Sequence, residues 1–135
     1  MADAATIHRE YFDTIKTRDF EKMRSLFHAD YTIMQGDGVE LKGPEAGVKI
    51  AQTYTTAFPD LTFEIRHQYA PSGTVSILEF TARGTHKEAL EEIPATGKQV
   101  EIVVCNVIEV KDGQVLRERE YYDNLAIMRQ LGVID

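Results

Sequence analysis

The amino-acid sequence predicts an α+β fold in which a strongly curved antiparallel sheet wraps around helices from the N-terminal half. In the first half of the chain, apolar residues recur every three or four positions, the spacing of amphipathic helices. In the second half, apolar and polar residues alternate along extended runs, which is typical of half-buried antiparallel strands. Helices separated along the chain from a meander of strands pack as a layer on one face of the sheet. We therefore expect a small-molecule pocket between the helices and the curved sheet.

Three helices are predicted before residue 60. Asp3 and Asp19 stand where N-caps would begin the first two, since a carboxylate accepts hydrogen bonds from free backbone N–H groups. A short strand over residues 31–35 follows the second helix. The third helix begins at Pro44, because proline suits a first helical turn, and it ends before Pro59.

Four strands and a closing helix are predicted for the rest of the chain. The strands cover residues 61–69, 75–86, 99–110 and 115–123. Alternation places four residues of the first strand on one face, namely Phe63, Ile65, His67 and Tyr69. Asp112-Gly113 predicts a tight hairpin between the last two strands, because this dipeptide favours a type I′ turn. A terminal helix then runs up to Gly132, a common residue at helix ends.

Composition and charge restrict the functional classes. The 135 residues fit one domain, 1–135, without an internal repeat or linker. With a net charge of −7 and scattered lysines and arginines, the sequence lacks the basic cluster that nucleic-acid binding requires.

No apolar stretch approaches the roughly 18 residues of a membrane span, and the N-terminus has no signal-peptide pattern, so we expect a cytoplasmic protein. No cofactor or metal motif occurs and the histidines are far apart, so we expect neither a cofactor nor a metal.

Four polar residues in the strand half are candidates for a chemical role. Asp123 ends the last strand, where it either caps the next helix or projects into an apolar cavity as an acid or base with a raised pKa. His86 ends a long strand and shares a face with apolar residues, so it is a candidate to point inward. Arg119 shares a face with Asp123 and either binds that carboxylate or a substrate oxygen, or lies on a solvated face of alternating charges. Asn106 interrupts an apolar strand, where a buried polar group needs a partner, and is a candidate pocket residue.

One face of the third long strand predicts self-association. Its residues, on the face opposite Asn106, are Glu101, Val103, Cys105, Val107 and Glu109. The helices can cover only one side of the sheet, so the apolar centre of this face stays exposed and forms an association surface. We therefore predict an isologous homodimer packed sheet to sheet.

Four short motifs occur in order along the chain. They are Ala57-Phe58-Pro59-Asp60-Leu61, Gly84-Thr85-His86 with Pro94-Ala95-Thr96-Gly97-Lys98, Lys111-Asp112-Gly113-Gln114-Val115 with Glu118 and Tyr122-Asp123, and Arg129-Gln130-Leu131-Gly132. Together, over roughly residues 7–132, these motifs resemble those of the SnoaL-like polyketide cyclases of the nuclear transport factor two-like superfamily.

The resemblance implies an α+β cone, usually a homodimer or higher oligomer with a pocket lined by aromatic and apolar side chains. It also implies cofactor-free aldol cyclisation of a polyketide ester, with Asp123 matching the family's general acid/base. His86 and Gln35 would face the same pocket, and side chains such as Tyr54 and Phe58 would contact a hydrophobic or polyketide-like ligand. A related isomerase would use the same parts. The alternative is a non-catalytic ligand-binding or dimerisation module, since one fold hosts many functions.

Overall fold

The computed structural model describes residues 2–134 and confirms the predicted α+β class. Over these residues it contains four helices and six strands. In chain order they are α1 Ala4–Thr17, α2 Phe20–Leu26, β1 Phe27–Met34, β2 Glu40–Lys42, α3 Pro44–Ala57, β3 Thr62–Ser72, β4 Val75–Thr85, β5 Gln99–Lys111, β6 Gln114–Tyr121 and α4 Asn124–Leu131. The sequence analysis did not predict the short strand β2. None of the described helices is both long and apolar enough to cross a bilayer.

The six strands form one curved sheet in the order β2-β1-β6-β5-β4-β3. The predicted meander from β3 to β6 is present, and each neighbouring pair within it is antiparallel. β1 also pairs antiparallel with β2, but it lies parallel to β6. The sheet is therefore mixed at this one junction, because no hairpin connects β1 to β6 and fixes their relative direction.

The helix ends follow the predicted local chemistry. The side-chain oxygen of Asp3 accepts a hydrogen bond of 3.0 Å from the backbone N–H of Thr6, and Asp19 caps α2 in the same way. Pro44 stands in the first turn of α3. Gly132 ends α4 with a φ of 77°, a left-handed conformation that glycine adopts without steric cost.

The helices cover one face of the sheet, which we call the inner face. Phe12 of α1 packs edge to face against Phe80 of β4, with ring centroids 5.0 Å apart. α3 lies so close to β1 that a Cβ atom at Gly47 would come within 2.9 Å of the stacked rings of Phe27 and Tyr31. Glycine at this position therefore permits the close packing. A second buried cluster closes the other end of the cone and consists of Ala57, Phe58, Leu90, Val100, Ile127 and Leu131.

Two β-bulges decide which side chains face inward. In β3, a register shift after Ile65 turns His67 and Tyr69 to the outer, exposed face, so the predicted common face of this strand ends at Ile65. In the β5–β6 hairpin, Val110 pairs with Val115, and the register then shifts by one residue. A shift of one residue moves all following side chains of a strand to the opposite face.

After the second bulge, Asn106 pairs with Glu120 instead of Arg119. Glu118 and Glu120 therefore face inward with Asn106, while Arg119 faces outward. This register sets the chemistry of the inner face.

Candidate functional site

A cavity lies between the inner face of the sheet and helices α1 and α3. It holds about 890 Å³ of empty space, including the part that opens to solvent. Its wall is mainly aromatic and aliphatic, with contributions from Phe12, Phe58, Phe63, Phe80, Ile102 and Val104. Its polar side chains include Tyr11, Tyr54, Glu118, Glu120 and Tyr122. Such a wall suits an apolar ligand with a few oriented oxygen atoms.

Two carboxyl groups of β6 meet one amide group of β5 at this cavity. The Nδ2 atom of Asn106 donates hydrogen bonds to Glu118 Oε2 at 2.7 Å and to Glu120 Oε2 at 2.8 Å. Asn106 is fully buried, and Glu118 is 2% exposed. The single amide thus holds both carboxyl groups side by side on the inner face.

Glu118 accepts more hydrogen bonds than Glu120. Tyr11 donates to both of its oxygens at 2.8 Å, and Tyr31 donates to Oε1 at 2.5 Å. Burial raises the pKa of Glu118 above its ordinary value, because it outweighs the hydrogen bonds from Tyr31, Asn106 and Tyr11, which favour the charged form. A carboxylate that accepts this many hydrogen bonds is stabilised in its charged form. Burial and the charge of Glu118 in turn raise the pKa of both tyrosines, which stay protonated as donors.

Glu120 has fewer donors and a different protonation behaviour. Besides Asn106, its only other close donor among the described residues is Gln35 Nε2, at 3.4 Å from Oε1. Burial, followed by the negative charge of Glu118, raises the pKa of Glu120 from 4.5 to about 7. A carboxyl group with such a pKa exchanges protons near neutral pH, as a general acid or base must.

A pair of tyrosine hydroxyls lies at one wall of the cavity. Tyr54 of α3 and Tyr122, which follows β6, have their hydroxyl oxygens 3.3 Å apart. Burial raises the pKa of both groups, so both remain protonated. The same two residues line a groove on the other side, together with Gln35 and Asp123. Both residues therefore border the cavity and this outer groove, and their hydroxyl groups can donate to a ligand oxygen.

The described residues form no group of three His, Cys, Asp or Glu side chains that could hold a metal ion. The polar side chains of the cavity can bind a ligand through carboxyl, amide and hydroxyl groups.

Comparison with known proteins assigns the chain to a family. A sequence model described as SnoaL-like polyketide cyclase matches residues 5–131. The chain belongs to the SnoaL-like polyketide cyclase family. Its sequence is 27% identical over 123 residues to aklanonic acid methyl ester cyclase DnrD of Streptomyces peucetius, covering 91% of this chain and 84% of DnrD.

Solved structures share the fold of this SnoaL-like chain. TsrD from Streptomyces laurentii aligns with a TM-score of 0.82 and 19% identity, over 99% of this chain and 100% of TsrD. An LEH-like epoxide hydrolase from M. tuberculosis aligns with a TM-score of 0.72 and 18% identity, over 96% of this chain and 90% of the hydrolase. At identities of 18% and 19%, this similarity shows a shared fold only. The same fold occurs in proteins with different names.

The structure places four of the predicted site residues of the SnoaL-like chain at the cavity or in contact with Glu120. Tyr54 and Phe58 line the cavity. Asn106 and Gln35 lie behind this wall and donate hydrogen bonds to Glu120. Whether these residues contact a substrate stays a prediction.

Asp123 and Arg119 lie outside the cavity wall of the SnoaL-like chain. Asp123 is exposed and caps α4, where Oδ1 accepts a hydrogen bond of 3.2 Å from the backbone N–H of Ala126. Arg119 lies on the outer face, where Nη1 donates to Glu109 Oε2 at 2.7 Å, because the bulge in the β5–β6 hairpin turns it away from Asn106. The predicted roles of both residues remain predictions, and within the described structure neither side chain has a hydrogen bond to Glu118 or Glu120.

His86 is fully buried one layer behind the cavity. Its Nδ1 atom accepts a hydrogen bond of 3.2 Å from the backbone N–H of Thr96, and its ring lies 5.4 Å from that of Phe58. The ring proton therefore resides on Nε2, which has no hydrogen-bond partner within the described structure. The predicted catalytic role of His86 stays a prediction, since Phe58 and not His86 forms the wall.

Glu118 and Glu120 are the site residues that the sequence analysis did not identify. Its alternating run from Arg117 to Glu120 predicts one basic face and one acidic face, and either face could have been the exposed one. The sequence did indicate that Asn106, on the neighbouring strand, is a buried polar residue that needs a hydrogen-bond partner. Without knowledge of the bulge, Glu118 and Glu120 could not be identified as its partners.

Proposed function

We propose that this chain is a cofactor-free enzyme that removes a proton from an activated carbon of a polyketide-like substrate and closes a ring by intramolecular aldol addition. Glu120 would act as the general base. The observation that carries this proposal is a carboxyl group with a pKa of about 7 on the wall of an apolar cavity. Membership of the SnoaL-like family and similarity to a named cyclase support the substrate class.

In the proposed reaction, ionised Glu120 takes the proton from a carbon next to a carbonyl group. The C–H electron pair moves to the carbonyl oxygen and gives an enolate, whose charge a hydroxyl of Tyr54 or Tyr122 would stabilise by donating a hydrogen bond. The enolate carbon then attacks a second carbonyl carbon of the same molecule and forms the new C–C bond. The resulting alkoxide recovers the proton from Glu120, so the enzyme returns to its initial state without an oxidant or reductant.

Glu118 has a supporting role in this proposal. Its carboxylate would carry the charge that, together with burial, disfavours ionisation of Glu120 and keeps the pKa of Glu120 near neutral. A carboxylate with an ordinary pKa would be a weaker base toward a carbon acid. The two acids thus have different tasks, set by the number of donors that each receives.

The apolar wall would contribute by holding the two reacting carbons of one substrate molecule close together. Orientation within a cavity replaces part of the entropy that an encounter in solution would require. An isomerase that moves a proton between two carbons would use the same base and the same hydroxyl donors, so the ring closure is the more specific part of the proposal.

The test measures proton transfer before any ring is formed. A β-keto ester is incubated in deuterated buffer, and loss of the proton at its activated carbon is followed by NMR with wild type, Glu120→Gln and Asp123→Asn. We expect the wild-type rate to rise with pH through about 7 and Glu120→Gln to lose about 10²–10⁴-fold. A protein that binds the probe but does not accelerate exchange would instead be the non-catalytic ligand-binding module.

We also propose an isologous homodimer formed through the outer face of the sheet. Val103 and Tyr121 on this face are 66% and 46% exposed, and Tyr69 is 52% exposed. Burial of these side chains against a second copy would remove apolar surface from water. The predicted cytoplasmic location stays a prediction.

A further inference from the structure

A continuous chain of hydrogen bonds leads from the protein surface to the carboxyl pair, and its outer end has a fixed direction. Gln68 Nε2 donates to the backbone carbonyl of Ala5 at 3.0 Å, and Gln68 Oε1 accepts from Arg9 Nε at 2.9 Å. A carbonyl only accepts and a guanidinium only donates, so the amide of Gln68 has one possible orientation.

The inner end of the chain determines the remaining bonds. Both Nδ2 protons of Asn106 go to Glu118 and Glu120, so its Oδ1 atom accepts and His8 Nε2 donates to it at 2.8 Å. Burial lowers the pKa of His8 to about 4, so near neutral pH its Nδ1 atom carries no proton and accepts from Ser76 Oγ at 2.8 Å. Ser76 Oγ in turn accepts from Gln68 Nε2 at 3.2 Å.

We propose that His8 is a positioning residue for Glu120, acting through Asn106. Its Nε2–H anchors the amide oxygen, so that the amide protons are held at Glu118 and Glu120 together. This inference rests on the proposed role of Glu120 as the base. Without the anchor, the amide oxygen of Asn106 would be buried without a donor and the amide would rotate or shift away from Glu120 to regain one.

His8 can be tested through the pH dependence of Glu120 because it does not itself titrate near neutral pH. Burial lowers the pKa of His8 to about 4, so the ring is neutral above that pH and its replacement removes no charge. The tyrosines around Glu120 also stay protonated, since their pKa values are raised. The residues that act on Glu120 through charge or hydrogen bonds are Glu118, Asn106 and Gln35. The tyrosines on which its charge acts are Tyr11 from α1, Tyr31 from β1, Tyr54 from α3 and Tyr122 after β6, and the charges of Asp37 and Glu91 also act on Tyr122.

Two substitutions separate the hydrogen bond from the packing of the ring. His8→Gln places an amide N–H near the position of Nε2, so it can still donate to Asn106 Oδ1. His8→Asn reaches only about as far as Nδ1 and loses that bond. Both variants lose the aromatic ring, which packs edge to face on Phe12 at 5.3 Å, so a loss of stability alone does not distinguish them.

The primary readout is the titration of the Glu120 carboxyl carbon by NMR in 13C-glutamate-labelled full-length protein, assigned with Glu120→Gln. Loss of one charge-assisted hydrogen bond should raise the Glu120 midpoint by about one pH unit in His8→Asn, and His8→Gln should stay close to wild type. In the exchange assay, the midpoint of the pH–rate profile should move by the same amount, with kcat lowered at pH 7 and KM unchanged. Thr14→Val, which removes another buried polar group of α1, is the control and should leave the midpoint unmoved.

The outcomes separate this inference from the proposed function. Equal Glu120 midpoints in wild type, His8→Asn and His8→Gln would overturn the positioning role, even if Glu120→Gln were inactive. A raised midpoint in His8→Asn with rescue in His8→Gln would support it, even if no variant exchanged the probe, a result that would count against the proposed function alone. If His8→Asn does not fold, Ser76→Ala removes the donor to His8 Nδ1 and should raise the midpoint by a smaller amount; an unchanged midpoint there would also overturn the inference.

Discussion

Replacing Glu120 by glutamine should stabilise the protein at alkaline pH. The amide oxygen can still accept the 2.8 Å hydrogen bond from Asn106, but the side chain carries no charge at any pH. In the wild type, burial and the charge of Glu118 raise the pKa of Glu120 from 4.5 to about 7, so the folded state binds this proton more tightly than the unfolded chain. The resulting stability is fully present below pH 4.5 and is lost as the pH rises through about 7.

The size of the effect follows from the difference between the two pKa values. A rise from 4.5 to about 7 corresponds to about 3 kcal/mol of unfolding free energy, at about 1.4 kcal/mol for each pH unit. Glu120 is half-buried, so solvent screening reduces the expected loss to about 2 kcal/mol. For a domain of this length, about 2 kcal/mol changes the melting temperature by about 6–10 °C.

Thermal unfolding followed by circular dichroism between about pH 4 and about pH 9 measures this difference. The melting temperatures of wild type and Glu120→Gln should agree near pH 4, and the variant should be higher by about 6–10 °C near pH 8.5. Glu10→Gln, at an exposed position of α1, is the matched control and should follow wild type at every pH. Parallel curves for wild type and Glu120→Gln would show that Glu120 ionises freely, which would refute the argument that burial and Glu118 raise its pKa.

Four further outcomes follow from the site and the outer face. Asp123→Asn should melt within about 0.5 kcal/mol of wild type, because asparagine caps as well as aspartate, and should keep its exchange rate; a stable variant without exchange would make Asp123 the base. Glu118→Gln should lower the midpoint of the pH–rate profile, since it removes the charge that raises the pKa of Glu120, and an unchanged midpoint would contradict the coupling. Light scattering should give the dimer mass for wild type and the monomer mass for Val103→Asp, whereas a monomeric wild type would remove the sheet-to-sheet model. Dialysis against a chelator should leave folding and probe binding unchanged, and a stoichiometric metal in elemental analysis would overturn that expectation.

The sequence alone determined the elements whose signals are local. Asp3 accepts from an N–H group three residues away, and Asp112-Gly113 closes a hairpin between adjacent strands, so neighbouring residues suffice to predict both features. The spacing of apolar residues separates helices from strands, and their order along the chain gives the α+β class. The motifs from Ala57 to Gly132 were sufficient for the family, which the match over residues 5–131 confirms.

Only the tertiary structure decided which face of β6 forms the site. A hairpin that continued its initial register would have paired Asn106 with Arg119 and turned a basic face inward, but the bulge pairs Asn106 with Glu120. An apolar pattern fixes strand register because one face must be buried, and the charged run from 117 to 120 has no apolar face to fix it. The hydrogen-bond chain through His8 likewise joins α1 to three strands that are distant in sequence, and only packing brings these elements together.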